Sequence, residues 1–171
     1  MLIRFDSQIF LRQKSGGVSR LFSDLINFFD THAELGIQTE VDFRTTHNEY
    51  ACITLESHGI RLADKRIPRH ALYAKQLFQR TISAEGVNLI HHTYYDKRFL
   101  SPSTDVKRVV TIYDMIPELF RGQIPRKVSH LNKRDFVKRA DSIICISAST
   151  KNDLIQNYGG IQVPITVIPL A

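Results

Sequence analysis

The chain has 171 residues, of which 43% are hydrophobic and 23% are charged. This composition and length are sufficient for one substantial hydrophobic core, but the chain is too short for two domains of ordinary size. The separation of Cys52 and Cys145 argues against a disulfide framework or zinc site, and the opening residues lack the apolar stretch of a signal peptide or membrane span, so we expect a cytoplasmic protein. The net charge of +6 favours an anionic partner, leaving nucleic acid, a membrane surface and a phosphorylated ligand open.

The first predicted element is a strand over Leu2 to Phe5, followed further on by a glycine pair, Gly16 and Gly17. An amphipathic helix is predicted after the glycines from apolar residues at helical spacing: Val18, Leu21, Phe22, Leu25, Ile26 and Phe29. The glycines would allow positive φ and close approach of a ligand. The free amides of the helix favour a diphosphate, and Arg20 would add a cation. The alternative is a turn that needs glycine only for its geometry.

The middle of the chain gives weaker patterns. Alternation over Thr39 to Phe43 predicts a strand near a sheet edge, and a helix is predicted over Asn48 to Ser57. Pro68 is expected to open a further helix that ends before Gly86.

Four apolar runs predict strands in the second half: Val87–His91, Val109–Tyr113, Ser142–Ile146 and Ile165–Leu170. Ser147 is expected to cap a helix that runs to Tyr158. A basic helix is predicted from Pro125, with its cations in solvent: Arg126, Lys127, Lys133, Arg134, Lys138 and Arg139. The alternation of strands and helices predicts the α/β class, with a single doubly wound Rossmann-like domain and a mainly parallel sheet over residues 1–171.

Ligands of parallel α/β sheets bind at the carboxyl ends of the strands, so polar groups that follow the predicted strands form one candidate site. The residues that meet this condition are Gly16, Gly17, His91, His92, Tyr94, Tyr113, Asp114 and Ser147. An aspartate there could accept hydrogen bonds from sugar hydroxyls, and an imidazole could bind a hydroxyl or a phosphate. Structural alternatives remain open for three of them: Asp114 as a turn cap, His91 as a buried strand residue, and Tyr94 as a packed loop anchor.

The ordered set DSQIFLRQKSGGVSRLF, HHTYYD, VVTIYDMIPELF and ADSIICISASTKNDL, followed by YG and VIPLA, resembles the amino-terminal domain of family 4, GT-B fold glycosyltransferases. By resemblance, Gly16, Gly17 and Arg20 match the glycine loop that approaches the donor diphosphate. Tyr113 and Asp114 match a position where many members carry His-Asp. The tyrosine departs from that pattern, which leaves His91, His92 or an acceptor contact by Tyr113 as substitutes for the histidine.

The resemblance implies a retaining hexosyltransferase of polysaccharide biosynthesis, which moves a sugar from a nucleotide-sugar to a saccharide or lipid-linked acceptor without a metal or other cofactor. The implied catalytic residues are Asp114, His92 and Tyr113; the implied substrate and donor-phosphate contacts are Gly16, Gly17, Arg20, His91, Tyr94 and Ser147. This chain would be the acceptor-side domain. Because the sequence stops at Ala171, we expect the donor-binding carboxyl-terminal domain to be missing and the chain to be inactive alone.

A second hypothesis is a non-catalytic Rossmann-like module that binds an anionic lipid surface or a phosphorylated ligand through the basic helix Arg126 to Arg139. It would place the protein peripherally on the inner face of the membrane. The structural alternative for that helix is an ordinary solvated face. Nucleic acid is not expected as a partner, because no zinc knuckle, RNP-like strand or basic-aromatic run occurs in the sequence.

Overall fold

The computed structural model describes residues 1–79, 86–100, 105–120, 123 and 132–170. The chain divides into two units, Met1–Thr93 and Tyr94–Ala171. Each unit contains three main strands that pair in parallel.

The first unit alternates strands and helices. Its strands are β1 (Leu2–Phe5), β2 (Gln38–Val41), β3 (Thr45–Thr46), β4 (Arg61–Leu62) and β5 (Leu89–His92). Its α-helices are α1 (Gln8–Arg12), α2 (Gly17–Thr31), α3 (Glu49–Thr54) and α4 (Arg69–Gln79), and short 3-10 turns cover Ala33–Leu35 and Glu56–His58. β1 lies between β2 and β5 and pairs with both in parallel, so all three strands end at the same edge.

The core of the first unit forms where α2 packs on β1 and β5. Phe5 and Phe22 are buried, and their rings meet edge to face with centroids 6.0 Å apart. The imidazole of His91 lies against both rings, at 5.5 Å from Phe5 and 5.1 Å from Phe22. Because successive strand residues face opposite sides, His91 enters this aromatic cluster while its neighbour His92 faces the other way.

The second unit contains three parallel strands, β6 (Lys107–Ile112), β7 (Ser142–Cys145) and β8 (Ile165–Val167), with β7 in the middle. Its α-helices are α5 (Ile116–Leu119), α6 (Lys133–Arg139) and α7 (Ala148–Tyr158), and a 3-10 turn covers Lys97–Phe99. The buried core draws on the strands and on the inner faces of α6 and α7: Val110, Ile112, Phe136, Val137, Ile143, Cys145 and Leu154.

The structure confirms the α/β, Rossmann-like fold class with a mainly parallel sheet. The predicted strand over Leu2 to Phe5 is confirmed at both ends, and the other main strands lie within two residues of their predicted starts. The predicted helix after the glycine pair is α2, and Ser147 caps α7, which ends at Tyr158 as expected. Ser147 accepts a hydrogen bond at its Oγ from the Thr150 amide, at 3.0 Å.

Several sequence-based expectations are corrected. A helix, α1, intervenes between β1 and the glycine pair, and the small parallel pair of β3 and β4 was not predicted. His92 is the last residue of β5 and is buried, whereas the sequence predicted a strand that ends at His91. The expectation of a solvent-exposed Lys133 is wrong, because its side chain is only 1% exposed.

Parts of two predicted helices lie outside the described residues. For the helix expected from Pro68, these are residues 80–85, and for the basic helix they are residues 124–131. Within the described ranges, no helix is both long and apolar enough to cross a membrane.

The aromatic cluster gives a stability prediction. Phe22→Ala should lower the free energy of unfolding by about 3 to 5 kcal/mol, because it removes a fully buried ring and leaves a cavity between α2 and β1. Phe28→Ala, on the same helix at 46% exposure, is the matched control and should cost less than about 1 kcal/mol. Denaturant titration of the two variants measures the free energy of unfolding. Equal losses of this free energy in both variants would contradict the packing of Phe22 described above.

Candidate active site

Asp6 follows β1 directly and is buried at 2% exposure, where it accepts hydrogen bonds on both carboxylate oxygens. Oδ1 accepts from the main-chain amide of Thr93 at 3.1 Å and from its hydroxyl at 2.6 Å. Oδ2 accepts from Gln8 Nε2 and faces His92 Nδ1, both at 2.7 Å. We call Asp6, Gln8, His92 and Thr93 the Asp6 network; it joins the carboxyl ends of β1 and β5 to the start of α1.

The charge of Asp6 is maintained by these contacts. Burial alone would raise its pKa, but the hydrogen bond and charge of His92, with hydrogen bonds from Thr93 and Gln8, outweigh burial and lower the pKa below its usual 3.8. An ionised carboxylate only accepts hydrogen bonds, so Nδ1 of His92 must carry a proton. This hydrogen bond fixes the orientation of the His92 imidazole ring.

His91 has a different environment from His92. It lies among Phe5 and Phe22, and burial together with the nearby His92 lowers its pKa to about 4, with Asp6 acting weakly in the opposite direction. His91 is therefore neutral at physiological pH. The interpretation of His91 as a buried strand residue is confirmed, and its predicted contact with substrate stays a prediction.

The glycine turn is organised by Gln13. Its side-chain Oε1 accepts a hydrogen bond from the Ser19 amide at 3.2 Å, and the Ser19 hydroxyl donates to the Gly16 carbonyl at 2.9 Å. A Cβ added at Gly16 would lie 2.7 Å from Gln13 Oε1, so glycine leaves room for this side chain. The Ser19 amide, in the first turn of α2, is therefore already hydrogen-bonded to the neutral, flexible side chain of Gln13.

The expected positive φ of the glycine pair is not observed. Gly16 is extended, with φ 165°, and Gly17 begins α2. A Cβ at Gly17 would meet nothing within 4 Å among the described residues, so neither packing nor φ requires glycine there. Arg20 points into solvent and forms an exposed ion pair with Asp24 at 3.5 Å.

In the second unit, Tyr113 and Asp114 follow β6, and Ser147 follows β7 at the same end of that parallel pair. The Oδ1 atom of Asp114 accepts a hydrogen bond from the Ile116 amide at 3.0 Å, as expected for a turn cap. The Asp114 side chain remains 39% exposed, so capping does not enclose it.

Tyr94 and Tyr95 stack with ring centroids 5.1 Å apart at the start of the second unit. Tyr95 is buried, and its hydroxyl donates to the Thr111 carbonyl at 2.7 Å and accepts from the Tyr113 amide at 3.3 Å. Burial, with a smaller effect of Tyr113, raises the pKa of Tyr95 well above 10, so it stays a neutral hydrogen-bonding group. Tyr95 is thus a structural anchor for the end of β6.

Within each unit the structure brings several predicted site residues to the strand ends. The first unit places His92 there, with the glycine turn following α1, and the second places Tyr113, Asp114 and Ser147 there. The proposal that Gly16, Gly17, His92, Asp114 and Ser147 share one rim stays a prediction.

Three residues in these arrangements were not singled out as site residues from the sequence. Asp6 directly follows a predicted strand, so the strand-end rule that selected Asp114 could have found it. Gln13 and Lys133, whose Nζ donates to Glu118 Oε2 at 2.9 Å beside Asp114, carry no comparable signal, because their roles depend on contacts across a turn or with residues distant in sequence.

The described residues contain no group of three or more His, Cys, Asp or Glu side chains that could hold a metal ion. The expectation of a metal-independent reaction stays a prediction.

The comparison with protein families gives one decisive match. The family model described as Glycosyltransferase Family 4 matches residues 15–171. The chain belongs to glycosyltransferase family 4. This confirms the resemblance to an amino-terminal GT-B domain and establishes the general function as glycosyl transfer. The search of curated proteins gave no match.

The buried His91 of this family 4 domain gives a prediction about pH. Because its pKa falls from 6.5 to about 4 on folding, only the unfolded chain binds this proton between those pH values, and stability should fall by about 3 kcal/mol as the pH drops through that range. His91→Phe should remove that loss while retaining the aromatic packing. Urea titrations between pH 8 and pH 4 measure the free energy of unfolding of both proteins, and the interval from pH 7 to 8 is the internal control. An unchanged pH dependence in the variant would contradict a neutral, buried His91.

Proposed function

We propose that this chain is the acceptor-side domain of a retaining hexosyltransferase that moves a sugar from a nucleotide-sugar to a saccharide or lipid-linked acceptor. The observation that carries the proposal is the family match over residues 15–171. The Asp6 network and the exposed Asp114 carboxylate support it, because they supply an oriented imidazole and an acceptor of hydroxyl hydrogen bonds at strand ends.

The proposed role of His92 is to bind or polarise a sugar hydroxyl. Asp6 acts through His92 by setting its tautomer and ring orientation, in the manner of the carboxylates that orient histidines in other active sites. Asp114 is proposed to accept a hydrogen bond from the transferred sugar or the acceptor. Tyr113 stands where many members carry histidine, and its hydroxyl is proposed as a further acceptor contact.

The glycine turn is proposed to approach the donor diphosphate. The open space at Gly17 and the amides at the start of α2 suit an anion, and Arg20 could turn from Asp24 to supply a charge. An anion reaching the Ser19 amide would replace the neutral Gln13 carbonyl, which exchanges one hydrogen bond for a stronger, charge-assisted one. The remaining donor contacts are proposed to come from a carboxyl-terminal domain, with fixed positive groups in place of a metal.

The alternative of a non-catalytic module that binds anions through the basic helix is less well supported by the structure. Lys133, one of its cations, is enclosed by protein, and Arg134 lies over the Tyr158 ring at 5.5 Å. Association with an anionic membrane surface therefore remains a secondary proposal.

The proposed assignment of most donor contacts to a carboxyl-terminal domain gives a prediction about donor binding. The 171-residue chain alone should bind UDP- and GDP-hexoses no more tightly than about millimolar, a few kcal/mol, because most donor contacts are assigned to the other domain. Calorimetry with the isolated chain measures this. Micromolar binding would show that this domain itself holds the donor.

The exposed carboxylate gives a prediction about activity. When a family 4 donor-binding domain is supplied, Asp114→Ala should lower kcat/KM by about tenfold or more, because an acceptor of substrate hydrogen bonds is lost. The control is Lys107→Ala, at 73% exposure and at the opposite end of β6, which should stay within about twofold. Lys133 is unsuitable as a surface control because it is buried. Equal losses in the Asp114 and Lys107 variants would remove Asp114 from the site.

A further inference from the structure

The ammonium group of Lys133 is enclosed by the segment that follows β6. Its Nζ donates to the main-chain carbonyl of Asp114 at 2.7 Å and to Glu118 Oε2 at 2.9 Å. The sulfur of Met115 lies 4.0 Å away, and the Tyr95 ring centroid lies 5.5 Å away. With only 1% of the side chain exposed, these protein groups take the place of water around the charge.

Glu118 extends this arrangement to α7. One carboxylate oxygen accepts from Lys133, and the other accepts from the Tyr158 hydroxyl at 2.7 Å. The Glu118 side chain is itself only 8% exposed. A buried ion pair of this kind tolerates little displacement, because movement of either partner leaves a charge without solvent or counter-ion.

The residue fixed by this ion pair is Asp114. Lys133 anchors its main-chain carbonyl, and Ile116 engages carboxylate oxygen Oδ1. No hydrogen bond to Oδ2 occurs among the described residues, while the side chain is 39% exposed. Asp114 is thus held through its carbonyl and Oδ1, while its side chain remains partly exposed.

We propose that Lys133 is a positioning residue that holds Asp114 in the orientation needed for substrate. This inference rests on the proposed function of Asp114. Lys133 lies 3.9 Å from Oδ1, so its charge also acts on the carboxylate directly. A lysine suits this position because its ammonium group can donate to the Asp114 carbonyl and to the Glu118 carboxylate at the same time.

The test uses the full 171-residue chain and the paired variant Lys133→Met with Glu118→Gln. The single change Lys133→Met would leave Glu118 buried without a cation, which is expected to destabilise the fold. Changing both residues removes both charges and keeps an acceptor for the Tyr158 hydroxyl. The matched control is Lys107→Met, which also breaks a 2.8 Å ion pair, with Asp141, but does not touch the Asp114 segment.

The first measurement follows the Ile116 amide by NMR, because that amide reports directly on Asp114 Oδ1. In the paired variant its chemical shift should move and its hydrogen exchange should rise by about tenfold, while exchange of the Ile143 amide in β7 changes less than about twofold. The control should leave both amides unchanged. An Ile116 amide that is unchanged in the folded paired variant would overturn the proposal.

A second measurement needs no variant. In the wild-type chain the Lys133 ammonium protons should exchange slowly enough to be seen by NMR and should show proximity to the Met115 methyl group. Freely exchanging Lys133 protons would overturn the proposal even if the paired variant failed to fold.

The third measurement is transfer from UDP-glucose and GDP-mannose with a family 4 donor-binding domain supplied. A loss of about tenfold in kcat for the paired variant, with the Lys107→Met control within about twofold, supports positioning of Asp114. Normal transfer by the folded paired variant overturns it. If the wild-type chain transfers neither sugar, the proposed function loses support for these donors, and the two NMR measurements still decide the role of Lys133 in orienting Asp114.

Discussion

An ionised carboxylate, Asp6, is buried at the ends of β1 and β5 and links the elements around it. Asp6 stays charged because donors from Gln8, His92 and Thr93 compensate for its lost hydration. Thr93 also accepts from the Ile9 amide at 3.1 Å, which ties the start of α1 to the end of β5. Separate movement of these elements would leave a charge or a buried amide unpaired, at a cost of several kcal/mol. Strand register, helix entry and imidazole orientation are therefore coupled.

The second unit also contains a buried charge with protein partners, but this charge is positive. A buried ammonium, Lys133, rather than a buried carboxylate, is compensated at the strand end, and Glu118 with the Asp114 carbonyl provides the compensation. In the first unit the buried ion contacts His92, which is itself buried, and in the second it lies beside Asp114, whose side chain is partly exposed. A buried ion pair is weak evidence for net stability compared with apolar packing, but removing one partner of such a pair is strongly destabilising.

The two glycines of the glycine turn have different surroundings. At Gly16 a Cβ would require Gln13, the side chain that accepts from the Ser19 amide, to shift. Gly17 has no such requirement within the described structure, and its open side suits a ligand. Neither glycine adopts the left-handed conformation that the sequence suggested. The motif therefore combines internal capping of α2 with an accessible helix start, a distinction that only coordinates reveal.

Sequence by itself determined the alternation of strands and helices, the parallel class, the cap at Ser147 and the family, because apolar periodicity, capping residues and motif order are local patterns. The strand-end rule also reached His92 and Asp114. Only the tertiary structure decided that Asp6 orients His92, 86 residues away, and that Lys133 leaves solvent to hold Asp114. The physical reason is that the charge and orientation of a side chain depend on which donors, acceptors and solvent surround it. In the sequence, Lys133 is indistinguishable from the other cations of the predicted basic helix, and only the fold encloses it.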